Sequence, residues 1–186
     1  MVYFLILFGF IMRIASHFHQ HPLLAPLFQY LPDIPNFAPI AALALFSGVY
    51  LKGKYALIIP LTAMLVSDYF IGFYNPYIML SVYFSFGLIG LMGVWLKKNK
   101  TVTSIFAGSL LGSVLFFLIT NFAVWVIPNS YYPHTITGLL DCYVMALPFF
   151  RNSLTGDLFY AIILFGAYET ASFMIKKHTK EALWQR

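Results

Sequence analysis

Six acidic and eleven basic side chains are spread through a chain of 186 residues that is otherwise mostly apolar. The few that fall within or beside long apolar runs are the first candidates for chemistry, because an ionisable group near hydrocarbon costs several kcal/mol and needs a partner or a task. Asp68 closes one apolar run, Asp157 opens another, and Arg151 stands six residues before it. The three are expected to gather near the outer leaflet. Asp157 has a structural reading as the N-terminal cap of its own helix, where a carboxylate meets free amide hydrogens and suits the dipole. Arg151 either pairs with one of the two aspartates or grips a ligand carboxylate or phosphate through its two-pronged guanidinium.

A second group of residues is polar without charge. Asn121 lies deep in an apolar run one turn before Trp125, and an amide in that setting must hydrogen-bond a neighbouring helix or a bound solute. Asn36 precedes Phe37-Ala38-Pro39 and is expected to cap the helix that follows. Tyr74, Tyr132, His134, Asn152 and Trp125 sit in or near the connections and either anchor the chain at the membrane interface or wall a pocket. The lone cysteine, Cys142, rules out an internal disulfide and any multi-cysteine metal site; beside Asp141 it is either a small apolar residue or a functional thiol. His17, His19 and His21 alternate ahead of Pro22 and would form a comb in an extended segment, but with no carboxylate or cysteine close by they read as a solvated loop. No metal or other cofactor is expected. Glu169 lies seven residues before Lys176 and has three readings: a partner for the lysines, part of a proton path, or a contact to another protein.

The elements that must position these groups follow from composition. The chain is 61% apolar and 9% charged, with a mean hydropathy of +0.81, against roughly half apolar and a quarter charged in soluble domains. The fold class is therefore an all-α integral membrane protein in a single domain spanning 1–186. Six transmembrane helices are expected at about 2–16, 37–51, 55–73, 77–96, 103–127 and 158–175. The first run lacks a basic start and a small-residue cleavage site and reads as a retained helix. Strand-type alternation is absent. The stretch 136–150 is too short and too interrupted to cross, so a short re-entrant or interfacial helix closed by Pro148 is expected before the last span. Nine of the eleven Lys and Arg residues fall at Lys52 and Lys54, at Lys97, Lys98 and Lys100, and in the tail from Lys176 to Arg186. Those three places share one side when six helices are threaded, which predicts both termini in the cytoplasm. This placement at helix ends also argues against nucleic-acid binding. Ala44 and Gly48, Gly87, Gly90 and Gly93, and Gly108 and Gly112 with Ser104, Ser109 and Ser113 form small-residue ridges that let helices approach closely.

The stretch from Asn36 to Tyr77 resembles the second and third helices of the substrate-binding S components of energy-coupling-factor transporters: a helix ending in small residues, a tight turn, then a helix ending in Ser67-Asp68 with a glycine soon after. Nearly end to end, the chain is similar to a family of uncharacterised bacterial membrane proteins regarded as transport proteins of S-component type. Asn36-Phe37, Pro39, Ser67-Asp68, Asn121-Phe122 with Trp125, Cys142-Tyr143, the run Pro148 to Asn152, and Gly156-Asp157 carry that likeness. The resemblance implies a six-helix bundle in the bacterial cytoplasmic membrane, a pocket on the outer side roofed by the loops after helices one, three and five, a vitamin-like solute, and an energising transmembrane subunit with ATPases as partner. Two departures stand out. Helix one holds Ala15 as its only alanine where S components carry an alanine-rich docking motif, and Cys142 lies elsewhere than the cobalt-ligating cysteine of cobalamin-binding relatives.

Three functions are open at this point. The leading one is a solute-binding transporter subunit whose pocket draws on Asn36, Asp68, Tyr74, Asn121, Trp125, Tyr132, His134, Cys142, Arg151, Asn152 and Asp157. The second is a scaffold binding other membrane proteins through the Gly and Ser ridges. The third is an intramembrane enzyme, for which the common catalytic motifs are missing; the chain is expected not to be an enzyme.

Overall fold

The computed structural model describes residues 1–18 and 39–184, and every regular element among them is helical. Among the described residues six α-helices follow in order, α1 (Val2–Phe18), α2 (Ile40–Tyr50), α3 (Tyr55–Ile71), α4 (Pro76–Leu96), α5 (Val102–Val126) and α6 (Ile136–Trp184), with a 3₁₀ turn, Lys97–Asn99, between α4 and α5. Three helical segments are long and apolar enough to cross a membrane: Pro76–Asn99, Val102–Val126 and Ile136–Thr179. The exposed surface carries large apolar side chains along each of them, including Leu80, Phe84, Leu118, Phe122, Ile162 and Phe173, as lipid contact requires. The chain is a membrane protein, all-helical among the described residues.

The ends of these helices are written in local chemistry. Asn75 caps α4 by accepting from the amides of Tyr77 and Ile78, with Pro76 in the first turn where its missing N–H costs nothing. Thr101 and Ser104 form a reciprocal capping box at the start of α5. Gly53 and Gly72, both at positive φ, turn the chain before and after α3.

α2 is the hub. It is apolar on all sides, and residues 41–49 are buried without exception, the pattern of a helix surrounded by protein rather than lipid. It touches all five other helices, α4 most extensively. The small-residue ridges make this possible. A Cβ on Gly48 would lie 2.2 Å from the Gly90 carbonyl oxygen, and one on Gly93 would lie 2.3 Å from that of Leu45, so α2 and α4 meet backbone to backbone. Gly108 faces Leu96 and Leu45, and Gly112 faces Ile89. Gly87, read as part of the same ridge, faces open space.

The expectation of a short helix closed by Pro148 and a separate final span is overturned. α6 runs unbroken for 49 residues with Pro148 inside it. At 1.5 Å per residue that is about 73 Å, more than twice a hydrocarbon core. Contacts to α5 hold the helix together through the proline: the Tyr143 hydroxyl donates to the Leu118 carbonyl at 2.8 Å, the Cys142 thiol to that of Asn121 at 3.4 Å, and the Phe117 and Phe150 rings lie 4.6 Å apart. These hold residues on both sides of Pro148 against one partner, and that outweighs the lost backbone hydrogen bond.

Candidate functional site

The two buried aspartates are both satisfied by protein, at separate places. Asp68, fully buried near the end of α3, forms an ion pair with Arg13 of α1 at 2.5 Å and accepts from the Tyr83 hydroxyl of α4 at 2.7 Å. Arg13 also donates to the Met64 carbonyl at 3.1 Å and to the Ser67 hydroxyl. One carboxylate thus ties three helices. Tyr74, 38% exposed in the loop after α3, lies within electrostatic reach of this pair. Burial, with the Asp68 charge added, pushes its phenol up to about 12, so it keeps its proton at physiological pH. The expected gathering of Asp68, Asp157 and Arg151 does not occur. Arg151 is exposed and pairs with neither aspartate.

Asp157 is not the cap of its own helix, since α6 begins 21 residues earlier. It caps another. Its carboxylate accepts from the backbone amides of Ala41 and Ala42 in the first turn of α2 and from the Ser113 hydroxyl of α5 at 2.7 Å. α2 has Pro39 at its N-cap position and no side-chain cap of its own. The acidic group meets a helix dipole as expected, but the dipole belongs to the hub helix.

At the opposite end of the bundle, Glu169 forms an ion pair with Lys100 and accepts from the Tyr50 hydroxyl. The Tyr50 and Tyr168 rings pack at 3.9 Å, and the Lys100 ammonium sits 4.8 Å from the Tyr50 ring centre. Of the three readings of Glu169, the structure assigns it a lysine, from the 3₁₀ turn region rather than from the tail.

The remaining polar groups gather around a cleft between α4, α5 and α6. It encloses about 260 Å³ and is lined by Phe116, Phe117, Thr120, Asn121, Phe150 and Ser153, with Ile78, Val124, Ala146 and Phe149 completing the wall. Asn121 lines it, and its Nδ2 donates to the Phe117 carbonyl of its own helix at 2.8 Å rather than to a neighbouring helix. Thr120 and Ser153 are lining residues that composition alone did not single out. Cys142 is buried behind Asn121. Just beyond the cleft, the Trp125 indole donates to the Pro133 carbonyl at 2.9 Å and packs edge-on against His134 at 5.7 Å. Tyr132 lies in the same connection, its amide donating to the Ser130 hydroxyl. Asn152 is half-buried on α6 and does not line the cleft. Asn36, and His19 and His21 of the histidine comb, lie outside the described residues; so does the side chain of His17.

The structure therefore divides the expected site. Asn121 and Cys142 come together, as do Trp125 and His134, while Asp68 with Tyr74, Asp157, and Arg151 stand apart. Arg13, Ser113 and Tyr83 are the functional partners that sequence reasoning missed. Arg13 carried a usable signal: it ends α1 on the side where Asp68 ends α3, the depth at which an intramembrane charge finds its counter-ion. Among the described residues no three metal-binding side chains gather.

No curated protein and no solved structure matches the chain significantly. A family profile matches residues 1–181, almost the whole length. The chain belongs to that family, described as a family of unknown function, DUF6580.

Proposed function

We propose that the chain is a membrane transport subunit that binds a small organic solute from the outer side for uptake, with the cleft between α4, α5 and α6 as its site. The cleft carries this reading: about 260 Å³ of space, walled in part by four phenylalanines and furnished with one amide and two hydroxyls, opens between the three longest helices. Protein interiors are close-packed, and a void of this size lined by convergent polar groups is the ordinary form of a small-molecule site. In this reading all six helices are embedded in the bacterial cytoplasmic membrane as an S-component-like bundle. Lys52, Lys54, Lys97, Lys98, Lys100 and the basic tail face the cytoplasm with both termini. The connections 72–75 and 127–135 then face outward, and the cleft lies near that end. Energy for transport comes from a partner or a gradient, since the chain has no phosphate-cradling loop.

The small-residue ridges speak against the scaffold alternative. Gly48, Gly90, Gly93, Gly108 and Gly112 are spent on contacts inside the chain.

The test is native mass spectrometry of the detergent-extracted protein for co-purifying small molecules, together with thermal shifts across a vitamin and metabolite panel. A bound solute is expected, with binding lost in Ala146→Phe, which fills the cleft. Absence of any bound molecule and of any shift would overturn the proposal.

A further inference from the structure

The hydrogen bonds already made inside the cleft restrict what it can hold. Thr120 donates to the Phe116 carbonyl at 2.8 Å, Asn121 to that of Phe117 at 2.8 Å, and Ser153 to that of Phe149 at 3.0 Å. Each side chain gives a hydrogen to its own helix one turn back. A hydroxyl has a single hydrogen, so Thr120 and Ser153 retain only lone pairs for a guest. The Asn121 amide cannot be turned around, because a carbonyl oxygen facing the Phe117 carbonyl would be repelled. Its Oδ1 and one remaining N–H are what it can offer. The polar equipment of the cleft is therefore three acceptor oxygens against one donor.

The walls add two conditions. Phe117 and Phe150 pack on each other with ring centres 4.6 Å apart, and Phe116 stacks on Phe86 at 5.0 Å, so the aromatic wall is a rigid apolar surface against which a flat ring can lie. No ionisable side chain lines the cleft. Arg151, next to Phe150 in sequence, is exposed and not part of the lining. A carboxylate or phosphate would enter without a counter-charge and meet acceptor oxygens, and a full cation would find no carboxylate; either is costly at membrane depth. A volume of about 260 Å³ lies at the small end of ligand sites, enough for one or two fused rings.

We propose that the cleft selects uncharged one- or two-ring nitrogen heterocycles that carry N–H donors, and excludes anions. This rests on the solute-binding reading of the same cleft and narrows its ligand class.

The experiment uses the full-length protein in lipid nanodiscs with calorimetric titration of three matched sets. Adenine, cytosine and indole supply N–H donors. 9-Methyladenine, 1-methylcytosine and 1-methylindole keep the ring and each lose one N–H donor. Adenine-8-carboxylate, cytosine-5-carboxylate and indole-5-carboxylate keep the ring size close and add a negative charge. Binding is expected in the first set, with a loss of about tenfold for each donor removed, the equivalent of one hydrogen bond, and at least as large a loss in the charged set. Asn121→Leu is expected to weaken binding by about tenfold; Ser153→Ala, on a different helix, provides the same test should the first variant fold poorly. Equal or tighter binding of methylated or charged members overturns the ligand class and leaves the solute site standing. So does silence across all three sets when the wider metabolite panel gives a ligand lost in Ala146→Phe. Silence in every panel removes both readings.

Discussion

At the scale of single residues, the costly side chains are mostly occupied in holding the bundle together. Asp68 is fully buried and Arg13 partly so, and removing Arg13 leaves the Asp68 carboxylate without its counter-ion. Arg13→Met and Asp68→Leu are each expected to lower unfolding stability in detergent by about 3–5 kcal/mol, while the double variant costs clearly less than the sum, because both charges leave together. Strict additivity in denaturant titrations would show the pair to be uncoupled. Asp157 allows a finer comparison. Asp157→Asn keeps an acceptor for the α2 amides, whereas Asp157→Leu strands both amides at about 1–3 kcal/mol each, the Ser113 hydroxyl keeping the Ser109 carbonyl at 3.1 Å. The Leu variant should melt well below the Asn variant, and equal melting temperatures would deny Asp157 its capping role. The sequence made it legible that Asp68 and Asp157 needed partners. It did not show which, because a counter-ion 55 residues away and a dipole on another helix are set by the arrangement of helices, which no spacing along the chain encodes.

At the scale of elements, the distinction lies between helices read from their own residues and a helix that depends on its neighbours. α4 and α5 announce themselves with Asn75-Pro76 and Thr101 to Ser104, local signals that need no tertiary context. α6 does the opposite: Pro148 is a local stop signal, and side chains from α5 overrule it. The α2–α4 contact is decided by three glycines. Gly48→Ala and Gly93→Ala each drive a methyl into a backbone carbonyl at 2.2–2.3 Å, an overpacking that no rotamer can relieve, and each is expected to cost at least about 1–3 kcal/mol. Gly87→Ala on the same helix meets open space and should be neutral or stabilise by up to about 1 kcal/mol through helix propensity. Thermal unfolding of the three variants side by side checks this, and a Gly87 variant as damaged as the other two would mean that helix flexibility, rather than close approach, is what the glycines supply. The spacing of the ridge residues could not separate Gly87 from Gly90 and Gly93, since its period places them on neighbouring faces and only the crossing point of α2 tells them apart.

At the scale of the whole molecule, composition alone was enough for an all-helical membrane protein, and three helices have the length and apolarity to cross. It could not show that the most apolar segment would be the one furthest from lipid: α2, eleven residues long, sits inside the bundle, since hydropathy is blind to whether the apolar neighbour is lipid or protein. Orientation decides what the cleft can do. The connection 127–135 lies beyond the cleft end of α5, and the 3₁₀ turn Lys97–Asn99 lies at the other end of the same hairpin. In the proposed topology the excess of Lys and Arg puts the latter end on the cytoplasmic side. In a Cys142→Ala background, which leaves no native thiol, Tyr131→Cys, at a site 99% exposed, should react with a membrane-impermeant maleimide added to intact spheroplasts. Asn99→Cys should react only after the membrane is opened. The reverse pattern would turn the cleft toward the cytoplasm, where a solute could leave but not be captured, and uptake from outside would no longer follow from the geometry even if the cleft binds its guest.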